Sequence, residues 1–268
     1  MKKILLSLLT IGVVGGLAFG ATRAFFSDTE TSKDNIFEAG ELDLEIDNTS
    51  YLNGKLREDL SWDLRDLTDE LFFNYKDLKP GDEGEDTISL HVTNDSWACV
   101  DLSITKNDDN GCTDPELIDD PDCDKGDDFD GELADQLEFM FWADDGDNVL
   151  EDNERILTNG LASEVLKSVT WTLADSGGNV FVGSGPLIAS NTYFIGKAWC
   201  YGDLTEKPVP ARESVSPAVD PGVNCDGSLV NNASQTDVLT GDVSFEAVQW
   251  RNNPDFLCNP PEPTATPT

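Results

Sequence analysis

In the segment GELDLEID, Leu42, Leu44 and Ile46 alternate with acidic residues. That period of two predicts a strand with one apolar and one wet face. DTISLHVTN repeats the pattern, with Ile88, Leu90 and Val92 on one side and His91 opposite them on the polar side. The runs ACVDLSITK, LEFMFWAD, SVTWTLAD, NTYFIGKAWCYG and GDVSFEAVQW read as further strands. Pro/Gly turns punctuate them at Lys79-Pro80-Gly81-Asp82 and Asp220-Pro221-Gly222. A helical period is weak except around Leu133 to Leu137 and in Asn153 to Leu166, where short helices are expected. The pattern predicts an all-β chain: a jelly-roll-like antiparallel β-sandwich with short helices and long acidic loops, burying the alternating Ile, Leu, Val, Phe and Trp positions.

Two segments stand outside that pattern. Asn107 to Glu132 is crowded with Asp, Gly and Pro, too poor in apolar area for a strand pair, and reads as an acidic insertion loop. From Asn259 the chain becomes Pro/Thr-rich, NPPEPTATPT, as expected of an extended tail.

At the other end, Met1-Lys2-Lys3 precedes an uncharged run from Ile4 to Phe19, followed by small residues around Ala21 and Ala24. These are the parts of a secretory signal peptide. The run has 16 residues and contains Gly15-Gly16, whereas a spanning helix needs about 20. Cleavage after Ala24 is therefore expected, giving a mature chain that begins at Phe25; an uncleaved anchor is the other reading. The chain divides into a signal peptide (1–24), a sandwich domain (25–258) and a tail (259–268).

Charge narrows the partners. The chain carries 53 acidic and 17 basic residues, a formal net charge of -36, and loss of Lys2, Lys3 and Arg23 with the signal makes it more negative still. Such a surface repels nucleic acid and anionic lipid, so no nucleic-acid partner is expected, and membrane contact is expected only through the signal peptide. Divalent cations suit it instead. Cys99, Cys112, Cys123, Cys200, Cys225 and Cys258 all lie beyond the signal. An even number in an exported chain predicts disulfides, with Cys112 to Cys123 as a local staple and the remaining connectivity open. Zinc ligation is the competing reading, against which stand the absence of any CxxC pair and a single histidine.

The chain lacks the motifs of several catalytic classes. It contains no HExxH and no GxSxG, and the glycines of SGGNVFVGSG are not followed by the lysine of a phosphate loop. Carboxylate pairs arise everywhere in so acidic a chain and do not single out a glycosidase site. No enzyme activity is expected. One metal motif remains, ADDGDNVLEDNE, from Ala143 to Glu154. Laid on a twelve-residue EF-type loop it puts Asp145 at position 3, Asp147 at 5, the Val149 carbonyl at 7, Glu151 at 9 and Glu154 at 12. Asn148 takes the sharp-turn slot, where Asn tolerates the left-handed conformation. Ala143 offers no ligand at position 1, so Asp144 or a distant residue must substitute. A weak calcium site and a solvated acidic loop are the two readings. The aromatics of TYFIGKAWCYG are read as core, with a sugar-stacking platform as the rival.

Three stretches together resemble one family. ATRAFFSDTETSKDNIFEAGELDLEID resembles the export signal and first strands of proteins processed by a SipW-type signal peptidase. LKPGDEGEDTISLHVTNDS is similar to the following turn and strand of the TasA/camelysin family, and VSFEAVQWRN to its closing strand. The resemblance implies a secreted jelly-roll subunit of the extracellular matrix or cell surface that assembles into biofilm fibres. Its partners would be the SipW-type peptidase and further copies of itself, joined head to tail. In fibre-forming members the freed N-terminal segment lies as a strand in the next subunit, which would make residues 25–40 the donor and Phe25, Phe26, Ile36 and Phe37 its assembly residues. The alternative is that Phe25 to Phe37 pairs within its own subunit. Two other functions stay open: a monomeric calcium-dependent adhesin or carbohydrate-binding module, and a camelysin-like metallopeptidase, against which the missing histidines speak.

Overall fold

The computed structural model describes residues 41–123, 128–167, 169–211 and 215–260, all within the unit that spans Gly40–Thr268. The strands are β1 (Leu44–Leu52), β2 (Lys55–Leu56), β3 (Trp62–Arg65), β4 (Glu83–Val92), β5 (Ser96–Asp108), β6 (Leu137–Asp144) and β7 (Arg155–Leu161). They continue as β8 (Val169–Asp175), β9 (Gly178–Asn179), β10 (Tyr193–Tyr201), β11 (Asp203–Glu206), β12 (Val223–Asp226) and β13 (Val238–Gln249). The described helices are single turns: α1 (Glu116–Asp119), α2 (Ala162–Val165), and 3-10 turns at Glu58–Leu60 and Leu133–Asp135.

The strands form a seven-stranded sheet in the order β2-β1-β4-β10-β6-β7, with β3 also on β1, and a four-stranded sheet in the order β13-β5-β8-β9. Every pairing within these sheets is antiparallel. The inward residues of both sheets meet in one core: Ile46, Ile88, Leu90, Phe139, Phe141, Ile195 and Trp199 from the first, Trp97, Val100, Leu102 and Leu173 from the second. The fold is thus the expected all-β sandwich, and each of the strand-like runs contributes a strand to it.

The period-two reading needs one extension. β4 is buried on both faces, down to Glu85, Asp86, Thr87 and Ser89. A second, smaller core of Met140, Trp142, Leu150, Ala198, Cys200, Leu204 and Val223 lies on the outer face of the seven-stranded sheet. It includes Leu204 of β11 and Val223 of β12, which form their own two-stranded sheet. His91, expected on the wet face, is half-buried on the outer face of β4, with Nε2 3.1 Å from Ser89 Oγ and 3.8 Å from Asp47.

Two local expectations are corrected. The expected helix at Asn153 to Leu166 is mostly strand: β7 adds to the sheet edge through Trp142↔Ile156 and Phe141↔Thr158, and only Ala162–Val165 is helical. Cross-strand packing of Ile156 and Thr158 against aromatic partners overrides a weak helical period. The acidic loop begins later than expected, because Asn107 and Asp108 still pair with Leu239 and Val238 of β13.

Disulfides join Cys99 to Cys258, Cys112 to Cys123 and Cys200 to Cys225. The local staple therefore forms as expected. The first bond spans 159 residues and fastens the end of the described chain to the centre of the four-stranded sheet.

Candidate functional site

Three places bring together side chains that packing alone does not explain. The first is the turn between β6 and β7. Asp144, at the end of β6, is buried; its Oδ1 accepts Trp142 Nε1 at 3.0 Å, and its Oδ2 accepts the backbone N–H groups of Gly146 and Asn148 at 3.0 and 3.2 Å. Asp144 thus organises the loop from within, the task that Ala143 cannot perform. Asn148 has φ +62°, as its sharp-turn slot requires. It is 2 % exposed, and neither side-chain polar atom has a hydrogen-bond partner.

The carboxylates of Asp144, Asp145 and Asp147 lie within 4.8 Å of one another. Glu154 folds back over the loop, Oε1 accepting the N–H of Asp145 and Oε2 that of Glu151. Burial pushes Asp144 up to about 6 and Glu154 up to about 8. Of the residues expected to ligate calcium, Asp145 and Asp147 therefore gather with Asp144, while Glu154 reaches the loop through backbone N–H groups and is not part of the three-carboxylate group. Val149 and Glu151 are buried beside them, Glu151 bridging to Val209, and are not part of the three-carboxylate group. The donors are hard oxygens, a set that fits calcium rather than zinc.

The second place carries no motif in the sequence. Asp109, Glu132 and Asp237 gather their carboxylates within 4.8 Å, where the acidic loop leaves β5 and returns ahead of β6. Asp237 Oδ2 accepts the N–H groups of Glu132 and Leu133 at 2.6 and 2.9 Å. Burial and then neighbouring carboxylates raise Asp109 and Glu132 to about 7, and burial raises Asp237 to about 6. Residues 105 positions apart in the chain meet here only because β13 pairs with β5. Nothing in their local sequence marks them among so many acids.

The third place is an edge. β13 pairs with β5 alone, so its other side is an unpaired edge of 12 residues among the described strands. Val243, Phe245 and Ala247 of β13 point inward and Asp242, Ser244 and Glu246 outward. Beside it runs a cleft of about 300 Å³ lined by Leu42, Leu44, Ile46, Asp66, Leu67, Phe245 and Ala247. The cleft opens between the first strand of one sheet and the last strand of the other. Ala24, Phe25, Phe26, Ile36 and Phe37, with the cleavage site and donor segment they define, lie outside the described residues, as do 261–268 of the tail.

A model of the camelysin metallo-endopeptidase family matches residues 1–184. No curated protein matches the chain. The family's name implies a catalytic metal, and the donors among the described residues do not fit a catalytic zinc. Among the described residues, no cluster of potential metal ligands includes His91, and the cysteines are consumed in disulfides. A catalytic zinc requires nitrogen or thiolate ligands held together with an open position, and His91 is instead beside Ser89 and Asp47.

Proposed function

The chain belongs to the camelysin metallo-endopeptidase family, and from that premise we propose that it works as a secreted structural subunit, polymerising head to tail into extracellular fibres by donating its N-terminal strand. The observation that supports this reading is the edge of β13 with the cleft beside it. Soluble proteins usually blunt a long edge with Pro, Lys or a short strand. β13 runs through VLTGDVSFEAVQ without a Pro or a Lys, and past the irregularity at Thr240/Gly241 its only charges, Asp242 and Glu246, turn outward, away from the cleft. An incoming strand would gain main-chain hydrogen bonds from that edge and seat alternate side chains in the cleft. Phe25-Phe26 and Ile36-Phe37 supply such side chains. Donation from one copy to the next does not close on itself, so the product is a filament.

Calcium has a place in this reading. Subunits this acidic repel one another, and a cation held at Asp144, Asp145 and Asp147 would order the β6–β7 turn and offset part of that repulsion. It performs no chemistry there.

The test of the fibre reading is Ala247→Glu, which places a charge on the half-buried wall of the cleft. The folded variant is expected to sediment as a monomer under conditions in which the parent chain forms fast-sedimenting polymer. Polymer formation equal to that of the parent would remove the cleft from the assembly pathway.

A further inference from the structure

Lys197 lies in the middle of β10, in the run YFIGKAWCY, and is 1 % exposed. Its direct cross-strand partner on β4 is Asp86, 0 % exposed. Alternation puts both in the layer between the two large sheets, since Ile195 and Trp199 on one strand and Ile88 and Leu90 on the other belong to the main core. Phe141 of β6 stands on the other side of Lys197.

Lys197 Nζ approaches Asp86 Oδ2 to 2.6 Å. The two groups are in direct contact, both almost fully shielded from solvent. The amine also meets the Phe72 carbonyl at 3.4 Å and the face of Phe73, 3.8 Å from the ring centroid. Asp86 Oδ1 accepts Asn48 Nδ2 at 3.2 Å, and Asn48 is itself 1 % exposed.

Two full charges are costly in such a layer, since desolvation of a buried ion pair can exceed its Coulombic gain. Burial lowers the pKa of Lys197, which favours the neutral amine. A neutral, desolvated lysine is a nucleophile. Held against a carboxyl group by two neighbouring strands, it is spared the entropic cost of encounter.

We infer that Lys197 Nζ and Asp86 Cγ condense into an isopeptide bond that joins β4 to β10 covalently at the centre of the seven-stranded sheet. A proton first passes from the ammonium to Asp86 Oδ2, leaving an amine beside a carboxylic acid. The nitrogen lone pair attacks Cγ, and the electron pair of the carbonyl moves to Oδ1, where the N–H of Asn48 stabilises the developing charge. Collapse of the intermediate breaks the Cγ–Oδ2 bond. Oδ2 leaves as water, carrying the carboxyl proton and one proton from the nitrogen. One amide forms, one water is released, and no oxidant or reductant takes part. The buried ion pair becomes a neutral amide.

The experiment is mass spectrometry of the purified, reduced and denatured full chain, followed by proteolysis and fragment mapping. The parent chain is expected to be lighter than its sequence by one water, with fragments carrying Glu83–Val92 and Tyr193–Tyr201 linked. Asp86→Asn is expected to lose one ammonia instead, through the same pair of fragments, and Lys197→Met to leave them separate. These masses are readable whether or not a variant folds well. A parent chain at full mass with separate fragments overturns the inference. So does a Lys197→Met chain that still lacks one water.

Discussion

Gly196 on β10 lies directly opposite Trp142 on β6, and a methyl group placed on it would lie 2.0 Å from Trp142 Cε2. The indole covers the glycine and fills the outer core of the seven-stranded sheet. Gly84 and Trp199 repeat the arrangement on β4 and β10, where a methyl would lie 2.4 Å from Trp199 Nε1. Neither indole can retreat, because both tryptophans are buried among close neighbours. Gly196→Ala is expected to lower unfolding free energy by about 3 kcal/mol, the upper part of the range for overpacking. Denaturant unfolding measures it; a change below about 1 kcal/mol would show that Trp142 can move aside.

The bond from Cys99 to Cys258 closes a loop of 159 residues, large enough for loop-closure entropy to dominate. Replacing both cysteines by serine is expected to cost about 3–5 kcal/mol. Differential scanning calorimetry of the double variant should show a markedly lower Tm, whereas an unchanged Tm would mean that the end of the chain contributes nothing to the sandwich.

Buried carboxylates set the pH dependence. Glu85 is pushed up to about 8 by burial and then by Glu83 and Asp86, and Asp109 and Glu132 lie at about 7. Unfolded carboxyls titrate near about 4, so the folded state holds more protons between these limits, and stability falls as pH rises through them. In chelator, thermal unfolding is expected at higher temperature at pH 5 than at pH 8. A Tm that rises across that window would contradict these assignments.

Much of the fold is legible in the chain because alternation is local. Leu44 and Ile46, or Ile88 and Leu90, reveal their strand without reference to anything else. Part of the β6–β7 turn is legible for the same reason: Asp145 and Asp147 come together on it, and Asn148 takes the left-handed conformation expected of it. Asp144 shows the limit, since its loop-organising contacts appear only once Trp142 and the turn are in place. Asp109, Glu132 and Asp237 are illegible because the pairing of β13 with β5 creates their proximity. The strand at Ile156 and Thr158 is illegible because the edge of β6 that recruits it lies outside any local window.

Calcium at about 10⁻³ M, against extracellular sites of about 10⁻⁴ to 10⁻³ M, is expected to stabilise the chain by about 1 kcal/mol. Asp145→Asn with Asp147→Asn should abolish most of that increment while changing the chelated protein little. Calorimetry with and without the ion decides it; an undiminished increment in the double variant would move the cation elsewhere, the Asp109, Glu132 and Asp237 cluster being the first place to look.

In the proposed assembly the N-terminal strand of one copy completes the β13 edge of the next. Electron microscopy of the chain beginning at Phe25, beside one lacking Phe25 to Phe37, tests it most directly, each with and without millimolar calcium. Filaments from the first and monomers from the second are the predicted result. Monomers from both under every condition, or filaments from both, would contradict strand donation.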